Sequence, residues 1–183
     1  MNAATQQTPF ALLKQIETRS KQRALGLPQK VEVRRTWSGV GFRIGDARLL
    51  LPMEEVNEIL KYPSLTKIPS ALRWVKGLAN IRGNLLPIMD LLNFVDKQAI
   101  KIAKPSRVIV IHRGELSSGL LVDEVYGMRH FFTEEHSKDL PDVSETLKKY
   151  LKGSFVQNDI NWGVFSVAKL AQSSEFLNIA ARA

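Results

Sequence analysis

Two apolar, strand-like segments separated by a tight turn constrain the fold of this chain more than any other feature. Residues 78–81 (Leu-Ala-Asn-Ile) and 85–89 (Leu-Leu-Pro-Ile-Met) flank the turn Arg82-Gly83-Asn84. Gly83 and Asn84 accept a positive φ, so the chain can reverse here at low cost. The pattern predicts a β-hairpin with Arg82 at its tip or shoulder. A lone arginine on rigid apolar elements suits protein contact better than catalysis, and a merely solvated turn residue is an equal alternative on spacing alone.

Short strands with frequent turn signals run through most of the remaining chain. From Trp37 the apolar residues recur with a period of two, and Gly, Pro and Asn-Asp signals separate the runs. The further segments that we predict as strands are 40–44, 48–51, 56–62, 65–68, 107–112, 120–122, 125–132, 151–156 and 160–167. About ten such strands predict an all-β barrel or sandwich.

Helices are predicted at both ends and at two interior positions. Thr8 and Pro9 suit the start of an N-terminal helix, whose apolar stripe of Phe10, Leu12, Leu13 and Ile16 is short for independent folding. We expect this helix to stop near Gly26 and Pro28 and to dock on the domain or on a partner. The other predicted helices are 71–76 with Ser70 as its cap, 91–94 with Asp90 as its cap, and 168–180 with Leu170, Leu177 and also Phe176 facing inward.

The positive charge of the chain is unevenly distributed. The net charge is +8, and residues 1–36 hold seven basic and two acidic residues, a net charge of +5. The other 147 residues carry +3. Since most aromatic residues sit at predicted core positions, such as Phe42, Trp162 and Phe165, the pattern differs from the basic, aromatic face of a nucleic-acid binder. The basic extension better suits an acidic partner or solubility.

The sequence offers no recognisable catalytic or metal-binding set. It contains no cysteine, and its histidines, His112, His130 and His136, lack the spacing of metal ligands. Neither a phosphate-binding loop nor a nucleophile elbow occurs. We therefore expect a non-enzymatic protein without cofactor or metal. The missing cysteines fit a reducing cytoplasm. Since the sequence has no signal pattern and no long apolar run, we expect that the chain is not secreted and does not span a membrane.

Four segments in order resemble the CheW family, the adaptors of bacterial chemosensory arrays. They are Val56-Asn57-Glu58-Ile59, the pair of runs Asn80-Ile81-Arg82-Gly83 and Pro87-Ile88-Met89-Asp90-Leu91, the run Gly119–Val125, and Tyr150-Leu151-Lys152-Gly153. The resemblance covers roughly residues 37–172 and implies a basic, partly helical extension over 1–36 and a CheW-like domain over 37–183. Within the family, the run Arg34–Arg43 resembles the adaptors of type IV pilus (twitching) systems.

The resemblance implies a fold and a set of partners. It implies two small five-stranded SH3-like barrels around a shared core, with an N-terminal helical extension and a C-terminal helix. It also implies an adaptor that couples a methyl-accepting chemoreceptor to a CheA-type histidine kinase in the cytoplasm, at membrane-anchored receptor arrays, without inserting into the membrane. One barrel face would dock the regulatory domain of the kinase, and a groove between the barrels would receive the helical tip of the receptor.

The family pattern assigns receptor and kinase coupling to particular residues. Arg82 and Glu58 are the principal candidates, and Val56 is a weaker one. We expect Arg82 and Glu58 to form an ion pair that orients the guanidinium. Two other classes of function remain open from the sequence, a small basic β-barrel that binds RNA and a small enzyme with an unfamiliar site.

Overall fold

The computed structural model describes residues 8–23, 34–114 and 116–178. The chain divides into two compact units, Met1–Val33 and Arg34–Ala183. In the first unit, helix α1 spans Pro9–Arg23, and the backbone N–H groups of Ala11 and Leu12 donate to the carbonyl of Thr8. Its apolar stripe is exposed, with 73% of Phe10 and 66% of Leu13 accessible to solvent. The predicted end of this helix near Gly26 and Pro28 lies outside the described residues.

Ten strands form two five-stranded sheets in the second unit, which confirms the all-β expectation. Sheet 1 has the order β8-β1-β2-β10-β9, and sheet 2 has the order β3-β6-β7-β5-β4. The strands are β1 Thr36–Ile44, β2 Ala47–Pro52, β3 Val56–Lys61, β4 Val75–Ile81, β5 Asn84–Asp90, β6 Arg107–Arg113, β7 Leu116–Val122, β8 Glu124–Phe132, β9 Leu151–Gln157 and β10 Ile160–Phe165. The helices are α2 Leu91–Asp96, α3 Glu145–Lys148, α4 Val167–Ala171 and α5 Ser174–Leu177, and a 3₁₀ turn spans Met53–Glu55.

One large hydrophobic core joins the two sheets, as the resemblance implied. It contains fully buried side chains from sheet 1 (Phe42, Leu49, Leu51) and from sheet 2 (Ile88, Ile109, Leu121). A smaller cluster around Trp162 and Phe155 belongs to sheet 1. Because each sheet buries one face in the shared core, both act as rigid supports for the turns at their edges.

The connection between β3 and β4 differs from the prediction. Residues 65–68 do not form a strand, and only Thr66 makes an isolated bridge, to Leu78. The predicted helix over 71–76 is also absent: Ser70 has a φ of +56° and residues from Val75 onward belong to β4. Trp74 is buried in the core, and pairing of β4 with β5 takes the backbone that a helix would have used.

Asp90 caps the helix that follows β5, as predicted. Its Oδ1 accepts the backbone N–H of Asn93 at 3.0 Å, and its Oδ2 accepts that of Ile100 at 3.0 Å. The side chain is 1% exposed, and Lys76 Nζ lies 4.0 Å away. Burial raises the pKa of this carboxyl, against the two backbone hydrogen bonds and Lys76, which lower it.

The C-terminal region forms two short helices where a single one was predicted. The Ser173 hydroxyl accepts the backbone N–H of Phe176 at 3.3 Å, which starts α5 anew after α4. A serine that caps a new helix competes with continuation of the old one. Leu170 and Phe176 are fully buried as expected, but Leu177 is 52% exposed, so its predicted inward position is wrong.

Candidate functional site

The β4–β5 hairpin presents Arg82 to solvent at one edge of sheet 2. Ile81 pairs with Asn84, which leaves Arg82 and Gly83 as a two-residue turn with φ values of +52° and +87°. The Asn80 side-chain oxygen accepts the backbone N–H of Gly83 at 2.8 Å and stabilises the reversal. The sequence assigned the positive φ to Gly83 and Asn84, whereas the structure assigns it to Arg82 and Gly83. A two-residue hairpin loop of this type needs a positive φ at both central positions, so the arginine accepts it.

Arg82 and Glu58 form the predicted ion pair. Arg82 Nη2 lies 2.8 Å from Glu58 Oε1, although the residues are 24 positions apart. Glu58 lies on β3 opposite Val110, and its side chain is 25% exposed, while that of Arg82 is 79% exposed. In the described part of the chain, Glu58 is the only hydrogen-bond partner of this guanidinium. The group therefore keeps most of its five N–H donors for a partner outside the chain.

A shallow depression surrounds this ion pair. Its volume is about 530 Å³, and Ile81 and Leu86 contribute apolar surface. Its polar lining comes from Asn57, Glu58, Arg82, Asn84, His112 and Ser117. Such a surface offers several hydrogen-bonding groups around a single guanidinium.

An apolar groove lies next to the depression, and Ser117 lines both. The groove has a volume of about 480 Å³ and runs between sheet 2 and the C-terminal helices. Met89, Leu116 and Leu177 are among its lining residues. The ion pair and the groove together form one continuous surface, which is charged at one end and apolar at the other.

Val56 lies two residues before Glu58 on β3, but it has a different environment. Its side chain is half-buried and packs against the main core, and it does not line the depression. Of the three residues that the resemblance singled out, the structure thus brings Arg82 and Glu58 together and leaves Val56 in a packing position. A role of Val56 in receptor or kinase coupling stays a prediction.

Glu55 is a supporting residue that the sequence did not reveal. Its side chain is only 6% exposed and accepts hydrogen bonds from the Arg113 guanidinium and from the backbone N–H of Val167. These bonds tie the start of β3 to the end of β6 and to the start of α4. In the sequence, Glu54-Glu55 after Pro52 carries no signal that separates a buried glutamate from an exposed one.

The described residues contain no group of three or more His, Asp or Glu side chains that could hold a metal ion. His130 Nδ1 lies 2.8 Å from the Ser38 hydroxyl, and the His136 ring packs against Phe155. His112 lines the depression and makes no side-chain hydrogen bond or ion pair within the described chain. None of the helices described is both long and apolar enough to cross a bilayer.

Comparison with known proteins identifies the family. Residues 38–175 match the CheW-like domain. Protein PilI of Pseudomonas aeruginosa is 43% identical over 174 residues, which cover 95% of this chain and 97% of that protein. Protein FrzA of Myxococcus xanthus is 38% identical over 88 residues, which cover 48% of this chain and 55% of FrzA.

A solved structure shows the same fold. The crystal structure of the scaffolding protein TtCheW from Thermoanaerobacter tengcongensis superposes with a TM-score of 0.64 at 23% sequence identity, covering 72% of this chain and 90% of that one. Proteins of this family are non-enzymatic scaffolds, in agreement with the expectation from the sequence. The chain belongs to the CheW-like domain family.

Proposed function

We propose that this chain couples a methyl-accepting chemoreceptor to a CheA-type histidine kinase, in a cytoplasmic chemosensory array that controls type IV pili. The pilus assignment is supported by the run Arg34–Arg43 and by the 43% identity to PilI across 95% of the chain. PilI is the pilus-type adaptor that this run resembles.

The observation that carries the proposal is the exposed ion pair of Arg82 and Glu58 on rigid strands. Glu58 Oε1 holds one edge of the guanidinium at 2.8 Å, and the rest of the side chain faces solvent. An exposed pair of this kind contributes at most about 1 kcal/mol to folding. Its geometry therefore serves recognition of a partner better than stability.

The neighbouring apolar groove suits a helix of the receptor tip. An amphipathic helix can place apolar side chains on Leu116 and Leu177 while its polar groups reach Arg82. Individual contacts of this kind are modest, and repetition in an array raises their effective concentration. The kinase regulatory domain would occupy a different barrel face.

Reconstitution of kinase with a receptor fragment tests the proposal. We expect the wild-type chain to raise receptor-dependent autophosphorylation and Arg82→Ala to abolish the increase with little loss of stability. Glu58→Ala should show a milder defect, because the carboxylate orients the guanidinium without contacting the partner directly. A double-mutant cycle on receptor affinity measures their coupling, and Val56→Ala tests the third candidate.

Asn158→Ala is the matched control, since Asn158 also has a positive φ, of +53°, in the two-residue β9–β10 turn of the other sheet. It should leave kinase control unchanged. The chain alone should neither bind nor hydrolyse ATP, and nucleotide turnover by it would contradict the adaptor role. If Arg82→Ala unfolded the protein while the remaining folded fraction formed normal complexes, the arginine would be structural.

RNA binding receives less support from the surface. Of the fourteen aromatic residues, all within the described chain, only Phe10 and Phe132 are exposed. Stacking of bases requires exposed aromatic rings along a basic face. Filter binding with a steep dependence on salt would favour the RNA alternative.

A further inference from the structure

Two connecting segments, each of which leads into a strand of sheet 2, concentrate positive charge without any acidic residue. Residues 61–76 and 97–107 contain eight basic residues, Lys61, Lys67, Arg73, Lys76, Lys97, Lys101, Lys104 and Arg107, and no Asp or Glu. The rest of residues 37–183 holds eleven basic and sixteen acidic residues, a net charge of −5. The small net charge of residues 37–183, +3, is therefore the sum of a strongly basic part and an acidic part.

The fold brings these two segments together around a groove of about 590 Å³. Leu65, Ile68 and Leu72 from the first segment and Ile102 from the second provide apolar surface. Lys67, Arg73 and Lys76 also line it. We call this feature the basic groove. It shares no lining residue with the depression around Arg82 and Glu58.

Most of these charges have no partner that would explain them. Among the ion pairs of the described chain, Lys76 lies 4.0 Å from Asp90 and Lys97 lies 3.5 Å from Glu175, and the other six basic residues have no carboxylate within 4.0 Å. Lys61 stands directly opposite Arg107 in the β3–β6 register. Like charges in that position lower the stability of a sheet. Arg107 itself donates hydrogen bonds to the carbonyls of Lys104 and Ser106. Lys67 and Arg73 make neither an ion pair nor a side-chain hydrogen bond in the described chain, so the stability of the fold does not account for these two groove residues.

The apolar lining is partly open as well. Ile102 is 49% exposed and Leu65 is half-buried. A concave apolar surface edged by cations can receive projecting apolar side chains, while carboxylates beside them meet the cations. A flat bilayer surface cannot fill a concave groove. Single-stranded nucleic acid would stack its bases on exposed aromatic rings, whereas Tyr62, the aromatic residue of this groove, is half-buried.

We propose that the basic groove binds an acidic, amphipathic segment of a partner protein. Apolar side chains of the segment contact Leu65, Ile68 and Ile102, and its carboxylates face Lys67 and Arg73. The opposite charges raise the rate of association and exclude basic or neutral competitors. This contact goes beyond the proposed coupling through Arg82, and each can fail without the other.

Selection from a displayed library of random peptides of about 16 residues tests the proposal with the full chain as bait. Recovered peptides should combine Asp and Glu with regularly spaced apolar residues. Synthetic copies should bind the double variant Lys67→Glu/Arg73→Glu about tenfold more weakly than the wild-type chain, and should also bind Ile102→Ser more weakly. Raising the salt concentration should weaken binding to the wild-type chain.

The matched control is Lys149→Glu/Lys152→Glu, because both lysines are exposed and lie outside the groove. It should bind the peptides like the wild-type chain. Circular dichroism checks that the groove variants fold, which we expect because Lys67 and Arg73 make no ion pair or side-chain hydrogen bond in the described chain. Arg82→Ala should retain peptide binding, which separates this proposal from the coupling function.

Several outcomes would overturn the proposal. Recovered peptides without acidic enrichment, or an equal loss of affinity in the control variant, would show that the groove does not select acidic segments. Direct binding of single-stranded RNA, or of phosphatidylcholine vesicles containing phosphatidylserine, more tightly than of the selected peptides would assign the charge to another class of ligand.

Discussion

At the scale of single residues, the backbone and the side chain of Arg82 are both constrained. A positive φ costs a non-glycine residue roughly 1–2 kcal/mol, and such conformations concentrate at functional sites. The β4–β5 turn accepts this cost at Arg82, with its φ of +52°, and Glu58 then holds the side chain. The conformation directs the arginine away from the core and into solvent, so a partner can reach it.

Asp90 supplies a prediction about buried hydrogen bonds. Asp90→Asn replaces one carboxylate oxygen by an NH₂ group, so either Asn93 or Ile100 loses the acceptor of its backbone N–H. We expect a loss of about 1–3 kcal/mol in the free energy of unfolding, measured by urea denaturation at neutral pH. Asn93→Ala is a suitable control, because only the backbone of Asn93 takes part in the cap.

The pH dependence of this effect has a definite sign. Burial raises the pKa of Asp90 above its unfolded value of 3.8, so the folded chain holds the proton more tightly than the unfolded chain. The stability due to this group is fully present below pH 3.8 and is lost as the pH rises through the raised pKa. The cost of Asp90→Asn should therefore be largest at acid pH and decrease toward neutrality. A cost that increases with pH would contradict this account.

At the scale of elements, the C-terminal helices show how a single cap redirects packing. By starting α5 at Ser174, Ser173 turns the Phe176 ring into the core, where it stacks on Trp74 at 5.5 Å between centroids. The Phe94 ring packs edge-on against the Phe176 ring, with 5.1 Å between their centroids. Leu177 projects outward beside the apolar groove.

Substitutions at these two neighbouring positions should have very different effects. Phe176→Ala leaves a cavity between aromatic rings, and we expect the free energy of unfolding to fall by about 3–5 kcal/mol. Leu177→Ala removes a side chain that is 52% exposed and should cost well under half of that. Urea titration followed by circular dichroism measures both. Equal costs would mean that α5 continues α4 in solution, as the sequence had suggested.

Truncation tests where the N-terminal extension ends. The carbonyl of Arg35 accepts hydrogen bonds from the backbone and the hydroxyl of Thr133, at 2.9 Å and 3.0 Å, and Thr36 pairs with Phe132. Deleting residues 1–33 should leave the free energy of unfolding of the β body largely unchanged. Deleting residues 1–36 removes these bonds and should cost about 1–2 kcal/mol. If the shorter deletion already gave an insoluble or molten protein, the extension would belong to the core.

At the scale of the whole molecule, the shared core should make the two sheets unfold together. Trp37 and Trp162 report on sheet 1, and Trp74 reports on the main core. We expect variants with a single tryptophan to show coincident unfolding midpoints by fluorescence and by circular dichroism. Leu49→Ala in sheet 1 and Ile109→Ala in sheet 2 should each lower every midpoint. Separate transitions would show that the sheets are independent domains.

Local pattern was enough to predict the elements whose signals lie within a few residues. Alternating apolar residues and turn signals predicted most of the ten strands, and the cap at Asp90 followed from its position before an apolar run. The segment between Lys61 and Val75 was predicted wrongly, because its apolar residues pack as an irregular connection and Trp74 is drawn into the core. Tertiary packing overrides weak local propensity in such segments.

The candidate site divides in the same way between sequence and tertiary structure. The sequence by itself determined the family and the hairpin that carries Arg82, and the resemblance to the family suggested the pairing of that residue with Glu58, which the structure then showed. Only the tertiary structure decided that Glu55 is buried, that Val56 packs inward, and that Lys67, Arg73 and Lys76 line one groove together with Ile102 from a separate segment. The physical reason is distance along the chain: strand period and turn type depend on neighbours, whereas burial and charge clustering depend on contacts between segments that only folding brings together.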